Sequence, residues 1–209
     1  MLPSLGIDTW ESLSINDLVN MISHSKIKPL VLIDGKSGSG KTTLAVKLAE
    51  TLKANMVSTD DICWFTDPVH WDDEMIKGII LPWLDGKCVA YRPSGWVRKG
   101  RAGRIAVDSD KPLIIEGNGA CRKTLREFAT YSIWVDTEPD ISRARVIERD
   151  LAKGENGGTL ESVTEFTDWW DSVVDPFLLE EEAWKFVSVI VNGYRSDLKS
   201  SNLLVHCPG

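Results

Sequence analysis

An α/β fold, with a parallel sheet covered by helices on both faces, follows from three features of the 209-residue sequence. Short apolar runs alternate with stretches of helical periodicity, the order that builds βαβ units. Between the first such run and the first long helix, Gly35-Lys36-Ser37-Gly38-Ser39-Gly40-Lys41-Thr42 satisfies every position of the G-x-x-x-x-G-K-[ST] phosphate-binding pattern. A later apolar run, Leu113-Ile114-Ile115, ends in an acid, Glu116, which suits a strand lying beside the first and reaching a metal through water.

The elements follow in order. Ile15, Leu18, Val19 and Ile22 recur at helical spacing behind Ser14, a good N-cap, and predict an added N-terminal helix over residues 12–24. Residues 30–34 are strand one. The glycine loop then opens a helix to about residue 53, with Leu44, Ala45, Leu48 and Leu52 on one face. Residues 55–58 are strand two. A helix over 70–84 carries Trp71, Met75, Ile79 and Trp83 and is closed by Asp85-Gly86. Residues 89–91 and 104–107 pair as a hairpin around a Gly- and Arg-rich stretch, 92–104. Strands three and four span 113–116 and 132–135. A helix from 139 to about 152 starts with Pro139, whose missing N–H is no loss in a first turn. After a loop at 154–158, residues 160–184 read as mostly helical with a break near Pro176. Residues 187–191 are the last strand, ended by Asn192-Gly193. The polar tail, 194–209, is expected to be loose. The whole chain, 1–209, reads as one domain, with an acceptor-binding region at 62–108 and a lid at 150–160.

Composition narrows the function. A net charge of −7 offers no basic field for long nucleic acid. No apolar run approaches the length of a membrane span. The first ten residues lack the basic start and apolar core of a secretory signal. Four scattered cysteines without a C-x-x-C pair suit a reduced, cytoplasmic compartment. Nothing in the sequence specifies an oligomer. Nine tryptophans are the oddity: most belong in the core, while a minority suit an acceptor pocket, where a flat ring gives much contact area at low entropic cost.

Phosphoryl transfer needs a triphosphate held, its charge neutralised, and an acceptor oxygen placed in line. The loop meets the first need: Gly35, Ser37, Gly38, Ser39, Gly40, Lys41, Thr42 and Thr43 are the nucleotide-binding candidates, with Lys41 on the β- and γ-phosphates and Thr42 on Mg²⁺. Asp60 and Asp61 follow strand two at the sheet edge where α/β folds bind ligands. A carboxylate there accepts a hydroxyl proton or binds a metal-bound water; equally, it caps a helix. Glu116 is the second acid, reaching Mg²⁺ through water. Arg143, Arg145 and Arg149 recur on the helix after strand four, either as cations for the transition state or as a solvated face. Arg92, Arg98, Arg101 and Arg104 either meet an anionic acceptor or stand exposed.

Taken together, the segments Ile33 to Thr43, Ser58 to Asp61, Ile114 to Gly117 and Arg143 to Asp150 resemble the uridine kinase-like branch of P-loop small-molecule kinases, over roughly residues 28 to 193. The resemblance implies a P-loop NTPase three-layer sandwich: a five-stranded parallel sheet in the order 2-3-1-4-5 with a small hairpin insertion. It also implies ATP as donor, Mg²⁺, and Asp60 as catalytic base and water-mediated metal ligand. Glu116 then belongs with the metal, and Arg149, with Arg145 near it, forms the lid cations. Cys63 stands where nucleoside kinases of this group carry an aromatic residue, and Trp64 follows. The insertion offers Tyr91 and Trp96, which with Asp61 and Trp64 are the acceptor-binding candidates.

The expected function is ATP-dependent transfer of the γ-phosphate to a hydroxyl of a small molecule, such as a nucleoside or a nucleoside-like metabolite. The alternatives are a nucleoside monophosphate kinase and a non-catalytic ATP-binding regulatory module. A GTPase switch is a further rival; it would need Asn-Lys-x-Asp and Asp-x-x-Gly segments, and neither appears where expected.

Overall fold

The computed structural model describes residues 2, 4–24, 28–194 and 202–208. In chain order the strands are β1 (Glu11–Ser14), β2 (Leu30–Asp34), β3 (Asn55–Ser58), β4 (Val89–Tyr91), β5 (Ile105–Val107), β6 (Leu113–Glu116), β7 (Tyr131–Asp136), β8 (Val189–Asn192) and β9 (Asn202–His206). β4 and β5 form the expected antiparallel ribbon; the other strands make one sheet in the order β1-β9-β8-β7-β2-β6-β3. Its inner five, β3-β6-β2-β7-β8, are mutually parallel and keep the 2-3-1-4-5 order.

Two expectations need correcting. The sheet has seven strands, because β9 adds antiparallel to β8 and β1 adds antiparallel to β9. The described part of the tail is therefore ordered: Leu203 and Val205 are buried on alternate positions of β9, a two-residue period too short to stand out among polar neighbours. Residues 195–201 and 209 of that tail lie outside the described residues. At the other end, residues 11–14 are strand, and α1 (Ile15–Ser23) begins only after Ser14, whose hydroxyl accepts from the Asp17 N–H at 3.0 Å.

The remaining helices are α2 (Lys41–Leu52), α3 (Thr59–Cys63), α4 (Asp72–Met75), α5 (Leu81–Leu84), α6 (Ser94–Arg98), α7 (Lys123–Arg126), α8 (Pro139–Lys153) and α9 (Leu160–Glu181). A π-helical turn, Ile76–Ile80, joins α4 to α5. It carries Gly78, where a Cβ would come within 2.7 Å of the Tyr91 ring. α9 runs through Pro176 without a break. The proline removes one helical hydrogen bond. Val174, Asp175 and Leu178 are nevertheless buried on both sides of it, and that anchoring holds the helix in line.

Helices cover both faces, so inner strands are apolar at consecutive positions. Val31 and Ile33 of β2 pack under α1 and α2 with Leu18, Ile22, Leu44 and Leu48. Leu30 and Leu32 face the opposite core with Trp71, Met75, Trp83, Trp134 and Leu178. Trp134 meets Trp184 edge-on, with ring centroids 5.3 Å apart. Among the described residues no helix is long and apolar enough to cross a membrane.

The N-terminal segment crosses the ends of β7 and α9. The Leu2 N–H donates to Asp175 Oδ2 at 2.8 Å, and the Leu5 N–H donates to the Asp136 carboxylate. Burial raises the Asp136 pKa to about 6, partly offset by that bond. Its contribution to stability is thus present below its ordinary value of 3.8 and is lost as pH climbs through 6. Asp136→Asn should raise the melting temperature at about pH 7.5 and leave it nearly unchanged at about pH 4. Equal shifts at both pH values in a thermal melt would contradict this account.

Candidate active site

The loop between β2 and α2 closes around its own lysine. Gly35, Gly38 and Gly40 have φ values of 143°, 77° and 105°, a backbone that L side chains rarely adopt. Two of them also press against neighbouring chain: a Cβ would lie 2.3 Å from the Val135 carbonyl at Gly35 and 2.1 Å from that of Ser142 at Gly38. Thr137 Oγ1 donates to the Ser39 carbonyl at 3.0 Å. The Lys41 ammonium is buried and donates to the carbonyls of Gly35 and Lys36, both at 2.9 Å. Burial lowers its pKa, while Glu116, Asp34 and Asp60 pull it back up.

Thr42 and Thr43 start α2 and are exposed. Thr42 Oγ1 donates to Glu116 Oε2 at 3.1 Å, which joins the loop to the end of β6. Glu116 is buried, and its pKa is raised by that burial, then lowered by Lys41 and raised by Asp60. Asp60 sits in α3 behind the Ser58 cap, its backbone N–H bonded to Ser58 Oγ. The residue as a whole is exposed, yet surrounding protein takes water from its carboxylate and pushes its pKa up, against Lys41 and Arg149. Lys41, Asp60, Glu116 and Arg149 thus share one electrostatic neighbourhood. A hydroxyl and two carboxylates form a hard oxygen set suited to Mg²⁺, which keeps several waters and takes phosphate oxygens as further ligands. Among the described residues no group of three His, Cys, Asp or Glu side chains makes a metal cage on its own.

Two supports were not singled out from the sequence. Asp34, fully buried at the end of β2, accepts from the N–H groups of Gly35 (2.7 Å), Gly119 (2.9 Å) and Cys121 (2.9 Å). Asn118 Nδ2 donates to the Gly35 carbonyl at 3.0 Å, and Ser37 Oγ donates to Asn118 Oδ1 at 3.0 Å. An acid closing an apolar strand was the available signal for Asp34, since a buried carboxylate needs donors. Lys36 is likewise buried, with its ammonium 3.1 Å from Asp175 and 3.5 Å from Asp171 of α9.

On α8, Arg145 donates to the carbonyls of Gly193 (3.1 Å) and Gly38 (3.5 Å), so it borders the phosphate loop. Arg149 is half-exposed, oriented by a 2.7 Å bond from its Nε to the buried Asp150 carboxylate. Asp150 also accepts from Asn156 of the following loop at 2.9 Å. Arg143 lies nearer the start of α8 and pairs with Asp168 of α9 at 2.6 Å.

The acceptor candidates fall into two pairs. Asp61 and Trp64 flank the end of α3, beside Asp60. Asp61 pairs with Arg101 at 3.1 Å, and the Arg101 guanidinium lies 3.6 Å from the Trp96 ring and 5.0 Å from the Trp64 ring. Tyr91 and Trp96 are engaged within the insertion. The Tyr91 hydroxyl donates to Glu74 at 3.0 Å, and burial and Glu74 raise its pKa to about 12. The buried Trp96 donates its indole N–H to the Asp61 carbonyl at 2.8 Å. An open depression of about 620 Å³, lined by Phe65, His70, Glu74 and Arg98 among others, includes neither Asp60 nor the phosphate loop.

No protein-family profile matches the sequence, and no curated protein matches it significantly. Solved structures do align with it. A possible uridine kinase from Bacillus stearothermophilus aligns with a TM-score of 0.53 at 23% identity, over 84% of this chain and 96% of its own. A proposed fructose transport system kinase from Silicibacter sp. TM1040 aligns at 0.48 and 19% identity, over 84% and 95%. Shikimate kinase from Bacteroides thetaiotaomicron aligns at 0.42 and 16% identity, over 83% and 93%. The first of these shares the α/β fold of this chain. At such identities the likeness is one of fold.

The glycine contacts yield a prediction. Gly38→Ala forces a Cβ onto the Ser142 carbonyl at a φ of 77°, a strain of about 1–3 kcal/mol at one loop residue. A thermal melt should show Gly38→Ala unfolding at a lower temperature than the wild type. An unchanged melting temperature would mean that the loop relaxes around the added methyl without cost.

Proposed function

We propose that this chain is a Mg²⁺-dependent phosphotransferase that moves the γ-phosphate of ATP to a hydroxyl of a small molecule. The observation that carries the reading is the convergence of Lys41, Asp60, Glu116 and Arg149 at the mouth of a glycine loop whose backbone is shaped for phosphate. Its fold, shared with a possible uridine kinase, agrees with it.

In this reading Lys41 exchanges the Gly35 and Lys36 carbonyls for phosphate oxygens, to which its charge is better matched. Thr42 and Glu116, already 3.1 Å apart, would hold Mg²⁺, Glu116 through water; the ion supplies charge neutralisation on the phosphates. Asp60 accepts the acceptor's hydroxyl proton, and its raised pKa makes it the stronger base. The acceptor oxygen forms its bond to the γ-phosphorus as the bond to the β–γ bridging oxygen breaks, and ADP leaves with that electron pair. Arg149, aimed by Asp150, meets the charge spreading over the transferring group.

The insertion favours a hydroxyl acceptor over a nucleoside monophosphate. Arg92 donates to the Arg101 carbonyl, Arg98 donates to the Phe65 carbonyl, and Arg101 is paired with Asp61. Three of the four arginines that would grip an acceptor phosphate are therefore committed to their own lobe. A cytoplasmic setting, with reduced thiols and abundant Mg-ATP, fits the four free cysteines.

The test is incubation with Mg-ATP and a panel of nucleosides, sugars and other hydroxyl metabolites, read by mass spectrometry. One class should gain a single phosphate. Asp60→Asn should then lower kcat by at least about 100-fold, as removal of a general base does, while ATP affinity holds. Retained turnover would remove Asp60 from the base role. ATP binding with no phosphorylated product from any acceptor would favour a regulatory nucleotide-binding module.

A further inference from the structure

Arg122, just beyond β6 and its loop, is buried to within 4% and takes no part in the chemistry above. Its Nε donates to the Gly119 carbonyl at 3.0 Å; one terminal nitrogen donates to the Val69 carbonyl at 2.6 Å and to Asp72 Oδ1 at 3.3 Å. The guanidinium lies over Trp71 (3.9 Å) and Phe177 of α9 (4.6 Å). Its other terminal nitrogen has no hydrogen-bond partner among the described residues. Burial lowers its pKa, with Asp72 the first and Asp34 the second charge pulling it back up. A buried cation with one terminal NH2 group unanswered is costly, and an apolar side chain would pack there more cheaply. What only a guanidinium supplies is a rigid fork reaching several elements at once.

The elements it joins are those the proposed reaction must align. Gly119 belongs to the loop that Asp34 and Asn118 clamp to Gly35. Val69 lies just before the acceptor-side helix α4 and Asp72 begins it, and Thr124 Oγ1 adds a 2.9 Å bond to Asp72 Oδ2. The Gly35 carbonyl accepts from both Lys41 and Asn118. In the proposed reaction Lys41 turns to phosphate, which leaves Asn118 as the side chain of this pair that links that carbonyl to the loop of residues 117–121.

We propose that Arg122 is a positioning residue that transmits nucleotide binding to the acceptor side, fixing the start of α4 against the loop that braces the phosphate site. The inference rests on the nucleotide reading above. Binding should tighten residues 69–76 even though none of them belongs to the phosphate loop.

The test is hydrogen exchange on the full chain, with and without the magnesium complex of β,γ-imido-ATP, whose binding is followed in parallel by calorimetry. In the wild type, amides of residues 69–76 should slow by about fivefold, the effect of one hydrogen bond's worth of coupling. Arg122→Lys keeps the charge and loses the fork; Asp72→Asn leaves Arg122 in place and weakens only the acceptor-side link. Both should bind the analogue as tightly as wild type and lose most of the slowing, with the same far-ultraviolet circular dichroism. A merely structural role would instead raise exchange across 69–76 equally with and without analogue. That result, or slowing that persists in both variants, would overturn the proposal while leaving the nucleotide reading intact. Should Arg122→Lys fail to fold, Asp72→Asn decides alone. Absence of binding to the wild type would overturn both readings.

Discussion

One buried carboxylate, that of Asp34, sets the geometry on which the site depends. Three backbone N–H groups converge on it, one from the glycine loop and two from the loop after β6. Removing a charge from water is tolerable only when its lone pairs are answered, and here the answering donors are main-chain atoms that cannot rotate away. Two loops on neighbouring strands are thereby held in one frame. Glu116 and Thr42 meet across that frame, and Lys41 folds into it. Burial also pushes the Asp34 pKa upward, against its bonds to Cys121 and Gly35 and the nearby Lys41 ammonium.

The acceptor side is built on different terms. It is a lobe of short helices and a two-stranded ribbon whose apolar side chains join the core beneath β2, with polar hubs fastening its surface. Glu74 accepts from the Tyr91 hydroxyl and from the Ser94 backbone and hydroxyl, and so fixes the ribbon's exit onto α4. Arg101 stands over Trp96 and pairs with Asp61, closing the stretch 92–104 back onto α3. Such hubs explain why Trp96, an acceptor candidate, turns inward: it gives its N–H to a carbonyl and is buried.

The inner five strands were legible because helices cover both sheet faces, which makes 30–34 and 113–116 apolar almost throughout, and because Gly35–Thr42 is a dense local motif. The helix cap at Ser14 and the hairpin of β4 and β5 were equally local. Partners far apart in sequence were not legible. β1 is four residues of weak pattern that become strand only because β9 lies beside them. Pro176 signalled a break that packing on either side overrides. In the site, Lys41, Thr42 and Glu116 follow from spacing. The engagements of Tyr91 with Glu74 and of Asn118 with Gly35 cross 17 and 83 positions, and no pattern in the sequence marks them.

The outer edge of the sheet has a consequence for how its parallel core is shielded. Bare on its far side, β8 would present a row of amides and carbonyls, a template for a strand of another molecule. β9 covers that side antiparallel, and β1 pairs in turn with β9. Two strands far apart in sequence must therefore meet to close this margin, and losing either one would reopen a surface that invites aggregation.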